Sequence, residues 1–334
     1  MRKIFLAMML LATFIFAGCN TQAAVKNDEL QISILNIGNG DSILIRTKEQ
    51  TILIDTAKPM NRFRLLGELE KFSVTKIDKL ILTHPHADHI GNASALINPT
   101  EKQLAENPYL KKISVEKVFD NGVDSIGSLY MKAVAAKKLP RQVLKVGDVL
   151  DFGGGVKFKV IWPTSEFVAQ INERKANKKN DDDKHDRTYR INNTSLVGIL
   201  TYKDFSMMLT GDCEKESEEK ILAANDAKDL KCDILKAGHH GGSSSSTKNF
   251  VATVNPKFVL ISAGNKSADG DFRGAPHKRP LETYMAQGID EKKIFCTQWN
   301  GTITVTTDGK NFSVRPEVEK DWIKDWIEKK KQMR

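Results

Sequence analysis

The sequence predicts an α/β fold, in which helices cover β-sheets. Short apolar runs typical of strands alternate with amphipathic, helix-like segments along most of the chain. Several of the strand-like runs end at a charged or metal-binding residue. The chain has 334 residues, of which 40% are hydrophobic, so it is long enough to bury a sizeable core.

The predicted elements start with strands at 30–35 and 42–46, which flank a glycine-rich turn that ends at Asp41. A third strand at 51–54 ends at Asp55, and leucines on one face predict a helix at 62–72. Further strands are expected at 79–82, 114–119, 156–161, 194–202, 205–209, 233–237, 258–262, 293–297 and 301–306. Helical segments separate several of these strands, which favours a layered arrangement.

Residues 1–18 have the character of a targeting segment. A basic start is followed by an apolar run and by small residues before Cys19. This order resembles the lipobox of bacterial lipoproteins, in which the cysteine is lipidated. We therefore expect an exported protein that is anchored through Cys19 at the outer side of a membrane, with residues 19–29 as a tether. A secreted protein, cut near Ala23, is the alternative.

The mature chain is expected to contain one domain over residues 30–312 and a C-terminal amphipathic helix over residues 313–334. The apolar face of that helix fits docking on the domain or contact with a membrane. Residues 172–190 are a charged, loop-like insertion. The net charge of +9 is compatible with a polyanionic partner, although a lysine-rich surface alone can produce it.

The strongest functional signal is the segment Thr83-His84-Pro85-His86-Ala87-Asp88-His89, directly after the strand at 79–82. It places four metal-binding side chains within six residues, so one loop can serve two ions. Imidazole and carboxylate ligands suit zinc or manganese, and two adjacent ions can activate a water molecule. The segment therefore predicts a metal site.

Three further strand ends carry polar residues, namely Asp55, Asp212 and the pair His239-His240. Ligand sites in α/β proteins gather at such strand ends. Each signal alone is equally compatible with an ordinary turn. Together with the histidine loop they predict one convergent site.

The loop Thr83 to His89 resembles the HxHxDH signature of the metallo-β-lactamase superfamily. Residues 35–42, 192–197, 209–212 and 236–242 further resemble the hydrolase domain of the ComEC type, from the competence DNA-uptake channel. The resemblance extends from about residue 30 to 310. It implies an αββα sandwich with a metal site at one edge of the two sheets.

The resemblance also implies roles for individual residues. His84 and His86 would hold the first ion, and Asp88, His89 and His239 the second. Asp212 would bridge the two ions and Asp55 would orient the loop. The first ion lacks a third histidine, because Asn192, Asn193 and Ser195 occupy the corresponding region. This harder ligand set makes manganese plausible beside zinc.

The expected mechanism is hydrolysis by a metal-activated water whose proton is steered by Asp88 or Asp212. A nucleic acid or another phosphodiester is the favoured substrate, and a β-lactam, lactone or thioester is the alternative. A surface protein that binds metal without catalysis also stays open. Besides Asn193 and Ser195, the residues that we expect to contact substrate are His240, Ser243 at the start of a serine run, Arg273, Lys278 and Arg279.

Overall fold

Two β-sheets stack face to face, and helices cover the outer face of each sheet. The computed structural model describes residues 25, 28–124, 128–177, 190–264, 274–324 and 326. In chain order the strands are β1 (Leu30–Ile34), β2 (Ile43–Arg46), β3 (Thr51–Ile54), β4 (Lys76–Ile77), β5 (Lys79–Ile81), β6 (Ser114–Val115), β7 (Val118–Asp120), β8 (Arg141–Val143), β9 (Val149–Asp151), β10 (Lys157–Trp162), β11 (Val197–Tyr202), β12 (Phe205–Leu209), β13 (Ile234–Lys236), β14 (Phe258–Ile261), β15 (Ile294–Cys296), β16 (Ile303–Thr307) and β17 (Phe312–Pro316). The α-helices are α1 (Arg62–Lys71), α2 (Ala87–Ile90), α3 (Ala93–Ile97), α4 (Glu101–Glu106), α5 (Ser128–Lys137), α6 (Ser165–Ala176), α7 (Lys215–Ala224), α8 (Lys248–Val254), α9 (Lys278–Ala286) and α10 (Thr297–Asn300).

The first sheet has the strand order β17-β16-β1-β2-β3-β5-β7-β8, and the second has the order β15-β14-β13-β12-β11-β10-β9. Strands β3, β5, β7 and β8 run parallel in the first sheet, as do β12 to β15 in the second. The carboxyl ends of parallel strands lie at one edge of a sheet. The loops after β3, β5, β12 and β13 therefore come together.

The layers follow from strands that are apolar on both sides. Ile45 of β2 belongs to the core between the sheets, together with Ile234 of β13. Its neighbour Leu44 lies on the opposite face and shares a second core with Leu65 of α1. A third core packs helices such as α8 and α9 against the outer face of the second sheet. This is the αββα sandwich that the resemblance implied, and the predicted fold class is confirmed.

The C-terminal region departs from the expected boundary at residue 313. Residues Phe312–Pro316 form β17, which pairs with β16 because its alternating side chains can extend the sheet. The apolar side chains further along dock on the domain. Trp322 stacks on Trp299 with 4.3 Å between ring centroids, and its Nε1 donates a hydrogen bond to the Ile294 carbonyl oxygen at 3.0 Å.

The charged insertion also differs from expectation at its start. Residues 172–176 belong to α6, because Phe167 and Ile171 anchor this helix in the core. Residues 178–189 lie outside the described part of the chain, as do residues 1–18 and Cys19. Within the described ranges, no helix has both the length and the apolar character that crossing a bilayer requires.

Candidate metal centre

The histidine loop begins directly after β5 and ends in the short helix α2, which carries Asp88 and His89. Asp55 ties the two ends of this loop together. Its Oδ1 accepts a hydrogen bond from the Thr83 backbone N–H at 2.8 Å, and its Oδ2 accepts one from the Thr83 hydroxyl at 2.7 Å. His89 Nδ1 lies 2.7 Å from the same Oδ2. Asp55 therefore occupies the place expected of the orienting carboxylate.

Asp212 follows β12 and lies between two sets of imidazoles. Its Oδ1 is 3.2 Å from His89 Nε2 and 3.4 Å from His240 Nε2. Its Oδ2 is 3.9 Å from both His84 Nε2 and His239 Nε2. Each oxygen of this one carboxylate thus faces a different pair of histidines, as the expected bridging position requires.

In the described part of the chain, three groups of side chains have the spacing of a cation site. The first group is His84, His86 and Asp212, the second group is Asp88, His89 and His240, and a third set is Asp41, His89 and Asp212. The second group contains His240. The sequence analysis expected His239 as the ligand there and His240 in contact with the substrate. Both histidines have left-handed backbone angles, with φ of 46° and 55°. Sequence spacing could not separate these neighbours, because only the folded turn decides which ring faces which carboxylate.

A test of whether these residues fit divalent ions comes from their hydrogen bonds. Among the described residues, His89 Nε2, His240 Nε2 and Asp212 Oδ1 are buried without a hydrogen-bond partner. His240 Nδ1 lies 3.0 Å from the Ser262 carbonyl oxygen, to which it can only donate. His240 Nε2 therefore needs either a proton or a cation between itself and the carboxylates. Imidazole and carboxylate donors suit zinc and manganese, so the residues fit such ions.

The electrostatics of the centre lead to the same conclusion. Burial lowers the pKa of the His84 imidazole well below its ordinary value, and the neighbouring His89 adds to this effect. Burial opposes ionisation of Asp212, but His240, His89 and His239 outweigh it and hold the pKa of Asp212 well below the usual range. Burial also disfavours a charged His240, yet Asp212 and other carboxylates raise its pKa to about 10. The carboxylates thus favour positive charge at the place where an ion would lie.

His239 lies on the side of the first group. Its Nδ1 is 2.8 Å from Ser244 Oγ and 3.1 Å from Glu214 Oε1, so Nε2 faces Asp212. The sequence offered no third histidine for the first ion, and His239 is the imidazole nearest that role. Glu214 was missed by the sequence analysis. Its position two residues after Asp212 was the available signal.

Two of the expected substrate contacts are instead buried and form hydrogen bonds with the residues that follow β12. Ser195 is buried, and its Oγ accepts a hydrogen bond from the Asp212 backbone N–H at 3.0 Å. Asn193 is also buried, and its Oδ1 accepts from Ser217 Oγ at 2.8 Å and from the Glu214 backbone N–H at 3.2 Å. These bonds hold the loop after β12, which leaves the two side chains poorly placed to touch a substrate.

Three other expected substrate contacts, Ser243, Lys278 and Arg279, are exposed. Lys278 pairs with Glu282 at 3.0 Å. Arg279 Nη2 donates a hydrogen bond to the Ser245 carbonyl oxygen at 2.9 Å, so this residue also supports the serine run. Arg273 lies outside the described residues.

Part of the chain matches a known superfamily of proteins. Residues 35–166 match the model of the metallo-beta-lactamase superfamily. The chain carries a metallo-β-lactamase superfamily domain, and it is similar to competence proteins over most of its length.

It is 27% identical over 312 residues to ComE operon protein 3 of Bacillus subtilis (strain 168), a match that covers 87% of this chain and 35% of that protein. Competence protein ComA of Neisseria gonorrhoeae is 23% identical over 305 residues, which cover 89% of this chain and 35% of that protein. The chain thus spans about a third of the length of these curated relatives. Among solved structures, the metallo-beta-lactamase fold protein YhfI from Bacillus subtilis matches 83% of this chain and 99% of its own at 10% identity, with a TM-score of 0.48.

Proposed function

We propose that this protein is a metal-dependent hydrolase that cleaves phosphodiester bonds, with nucleic acid as its substrate. The observation that carries the proposal is the position of Asp212, whose two oxygens each face a separate pair of imidazoles. A carboxylate in that position suits a centre of two divalent ions, zinc or manganese. When bound, such ions would act as Lewis acids and make water a nucleophile at neutral pH.

The candidate metal ligands differ in how exposed their side chains are. The histidines, Asp88 and Asp212 would hold the ions, and of these ligands His86, Asp88 and His239 are partly exposed. The Asp88 side chain is 14% exposed and has its Oδ2 3.5 Å from His240 Nε2. This carboxylate can therefore reach both the centre and solvent, and it would accept the proton that the attacking water releases.

Two features favour a phosphodiester over other substrates of the fold. The chain is similar to competence proteins over most of its length, and its net charge is +9. Lys278 adds an exposed cation at the start of α9, within reach of a phosphate backbone that passes the serine run. Because one fold supports many reactions, the substrate itself must be tested.

The test is turnover by mature protein that has been stripped of metal and reloaded with manganese or zinc. Substrates would be single-stranded DNA, RNA, a small chromogenic phosphodiester and a chromogenic β-lactam. We expect cleavage of a phosphodiester only after reloading, with Asp212→Asn as the inactive control. Preferred turnover of the lactam would refute the substrate assignment, and metal binding without turnover of any substrate would point to a binding protein.

We further propose that the mature protein is anchored to the outer side of a bacterial membrane through a lipid on Cys19. The motivation is the basic, apolar and small-residue order that precedes this cysteine. A Cys19→Ala variant should leave the membrane fraction or fail to mature. Unchanged membrane retention of a normally cleaved variant would contradict the anchor.

A further inference from the structure

We propose that Asp41 and Lys236 form a buried charge pair that positions His240 to hold a metal ion. The inference rests on the proposed metal-dependent function, but it is independent of which substrate is cleaved. Asp41 lies in the loop between β1 and β2 of the first sheet, and Lys236 is the last residue of β13 in the second sheet. The pair therefore joins the two sheets at the edge that carries the metal centre.

Both charged groups are buried away from water. Lys236 is 0% exposed and Asp41 is 1% exposed. Lys236 Nζ lies 2.9 Å from Asp41 Oδ2 and donates a second hydrogen bond to the Ala237 carbonyl oxygen at 2.9 Å. A buried ion pair seldom stabilises a protein more than apolar residues of the same volume would. Its presence beneath a metal centre therefore calls for a role other than stability.

The second oxygen of Asp41 faces the candidate metal ligand. Asp41 Oδ1 lies 3.3 Å from His240 Nδ1, which is also 3.0 Å from the Ser262 carbonyl oxygen. Two oxygens thus favour a proton on Nδ1 and leave Nε2 to face the metal groups. Carboxylates behind metal-binding histidines fix the ring and increase its basicity in the same way. Lys236 in turn binds the other oxygen of Asp41 and holds the carboxylate in this orientation.

The backbone around Asp41 ties it to the other ligands of the second group. The Asp41 N–H donates to the Asp88 carbonyl oxygen at 3.1 Å, and Ser262 Oγ donates to the Gly40 carbonyl oxygen at 2.6 Å. Gly40 has a φ of 129°, and a Cβ atom there would lie 2.4 Å from the Asp88 carbonyl oxygen. This close approach requires glycine and fixes the distance between Asp41 and the histidine loop.

A direct role of Asp41 as a metal ligand is the competing reading, because Asp41, His89 and Asp212 also have the spacing of a cation site. Lys236 argues against it. Its ammonium group already binds Oδ2 of Asp41, and Oδ1 faces His240 Nδ1 at 3.3 Å. The two readings predict different behaviour of Lys236 variants.

The experiment measures the affinity for Mn²⁺ or Zn²⁺ by competition with a chromogenic chelator, and the unfolding free energy of the metal-free protein. The variants are Asp41→Asn, Lys236→Met and the double variant, with Lys231→Met at an exposed lysine as the control. We expect each single variant to weaken one of the two ions about 10- to 100-fold. The double variant should regain stability, because it buries no unpaired charge, while its metal affinity stays low.

Three results would overturn the inference. Recovery of metal affinity together with stability in the double variant would mean that the pair is only structural. Loss of one ion in Asp41→Asn with unchanged binding in Lys236→Met would make Asp41 a direct ligand. A wild-type protein that binds no divalent ion would refute both this inference and the proposed function. Metal binding without phosphodiester cleavage would refute only the substrate assignment.

Discussion

His89 Nε2 lies 3.2 Å from Asp212 Oδ1, and the opposite nitrogen of the same ring lies 2.7 Å from Asp55 Oδ2. The imidazole is thus held between a carboxylate of the first sheet and one of the second. This arrangement links the histidine loop to the loop after β12 across the sandwich. Asp212 lies between the imidazoles of both groups.

Replacing Asp212 with Ala should lower kcat for phosphodiester hydrolysis by several orders of magnitude. The carboxylate faces the imidazoles of both groups, so its loss removes the one side chain that would touch both ions and weakens the activation of water. Steady-state kinetics with the metal-reloaded variant provide the measurement. Asp226→Ala, at an exposed carboxylate, is the matched control. Retention of more than a tenth of wild-type kcat would contradict the assigned role.

Gradual chelation should remove two ions in separate steps, with the ion of the second group retained longer. The second group has two buried imidazoles, His89 and His240, whereas in the first group only His84 is buried and both His86 and His239 are partly exposed. His240→Ala should abolish the tighter step, and His239→Ala should weaken the other. Metal content measured against chelator concentration distinguishes the steps. Release of both ions in one step, or an exchange of the two variant effects, would refute this asymmetry.

Glu218 should make the folded protein less stable as the pH rises. Burial raises the pKa of Glu218 to about 7, even though the backbone N–H groups of Thr247 and Ser246 favour its charged form. The ordinary value is 4.5. Between these two pH values the unfolded chain loses the proton while the folded protein keeps it, so stability falls by roughly 3 kcal/mol.

Glu218→Gln should remove this fall, and it should lower stability at pH 4, before the fall begins, because one backbone donor loses its acceptor. The measurement is the unfolding free energy in denaturant at several pH values from 4 to 8. Glu219→Gln, at an exposed neighbour, should keep the wild-type slope. Parallel pH curves for Glu218→Gln and wild type would show that Glu218 titrates at its ordinary pKa.

Lys278 and Arg279 should respond differently to replacement. Lys278→Ala should raise KM for nucleic acid and reduce its salt dependence, because an exposed lysine contributes phosphate affinity without chemistry. Arg279→Ala should in addition lower the melting temperature, because Arg279 supports the Ser245 carbonyl oxygen. KM at two salt concentrations and a thermal scan test both statements. Equal effects of the two variants on stability would contradict the difference.

Much of the metal centre could be predicted from local spacing. His84, His86, Asp88 and His89 lie within six residues, so any fold that exposes their loop brings them close together. The apolar runs likewise predicted the α/β class. A strand that is covered on both faces, such as β2, is apolar throughout and can be recognised as a run in the sequence. Short-range pattern is sufficient where neighbours in sequence are neighbours in space.

The sequence by itself determined the fold class, the histidine loop and the three strand ends that meet it. Tertiary structure alone decided that His240 joins the second group, that Ser195 and Asn193 support the centre, and that Asp41 pairs with Lys236. Asp41 and Lys236 are 195 positions apart and belong to different sheets. No periodicity specifies such a contact, because it depends on how two sheets and a strained turn pack together.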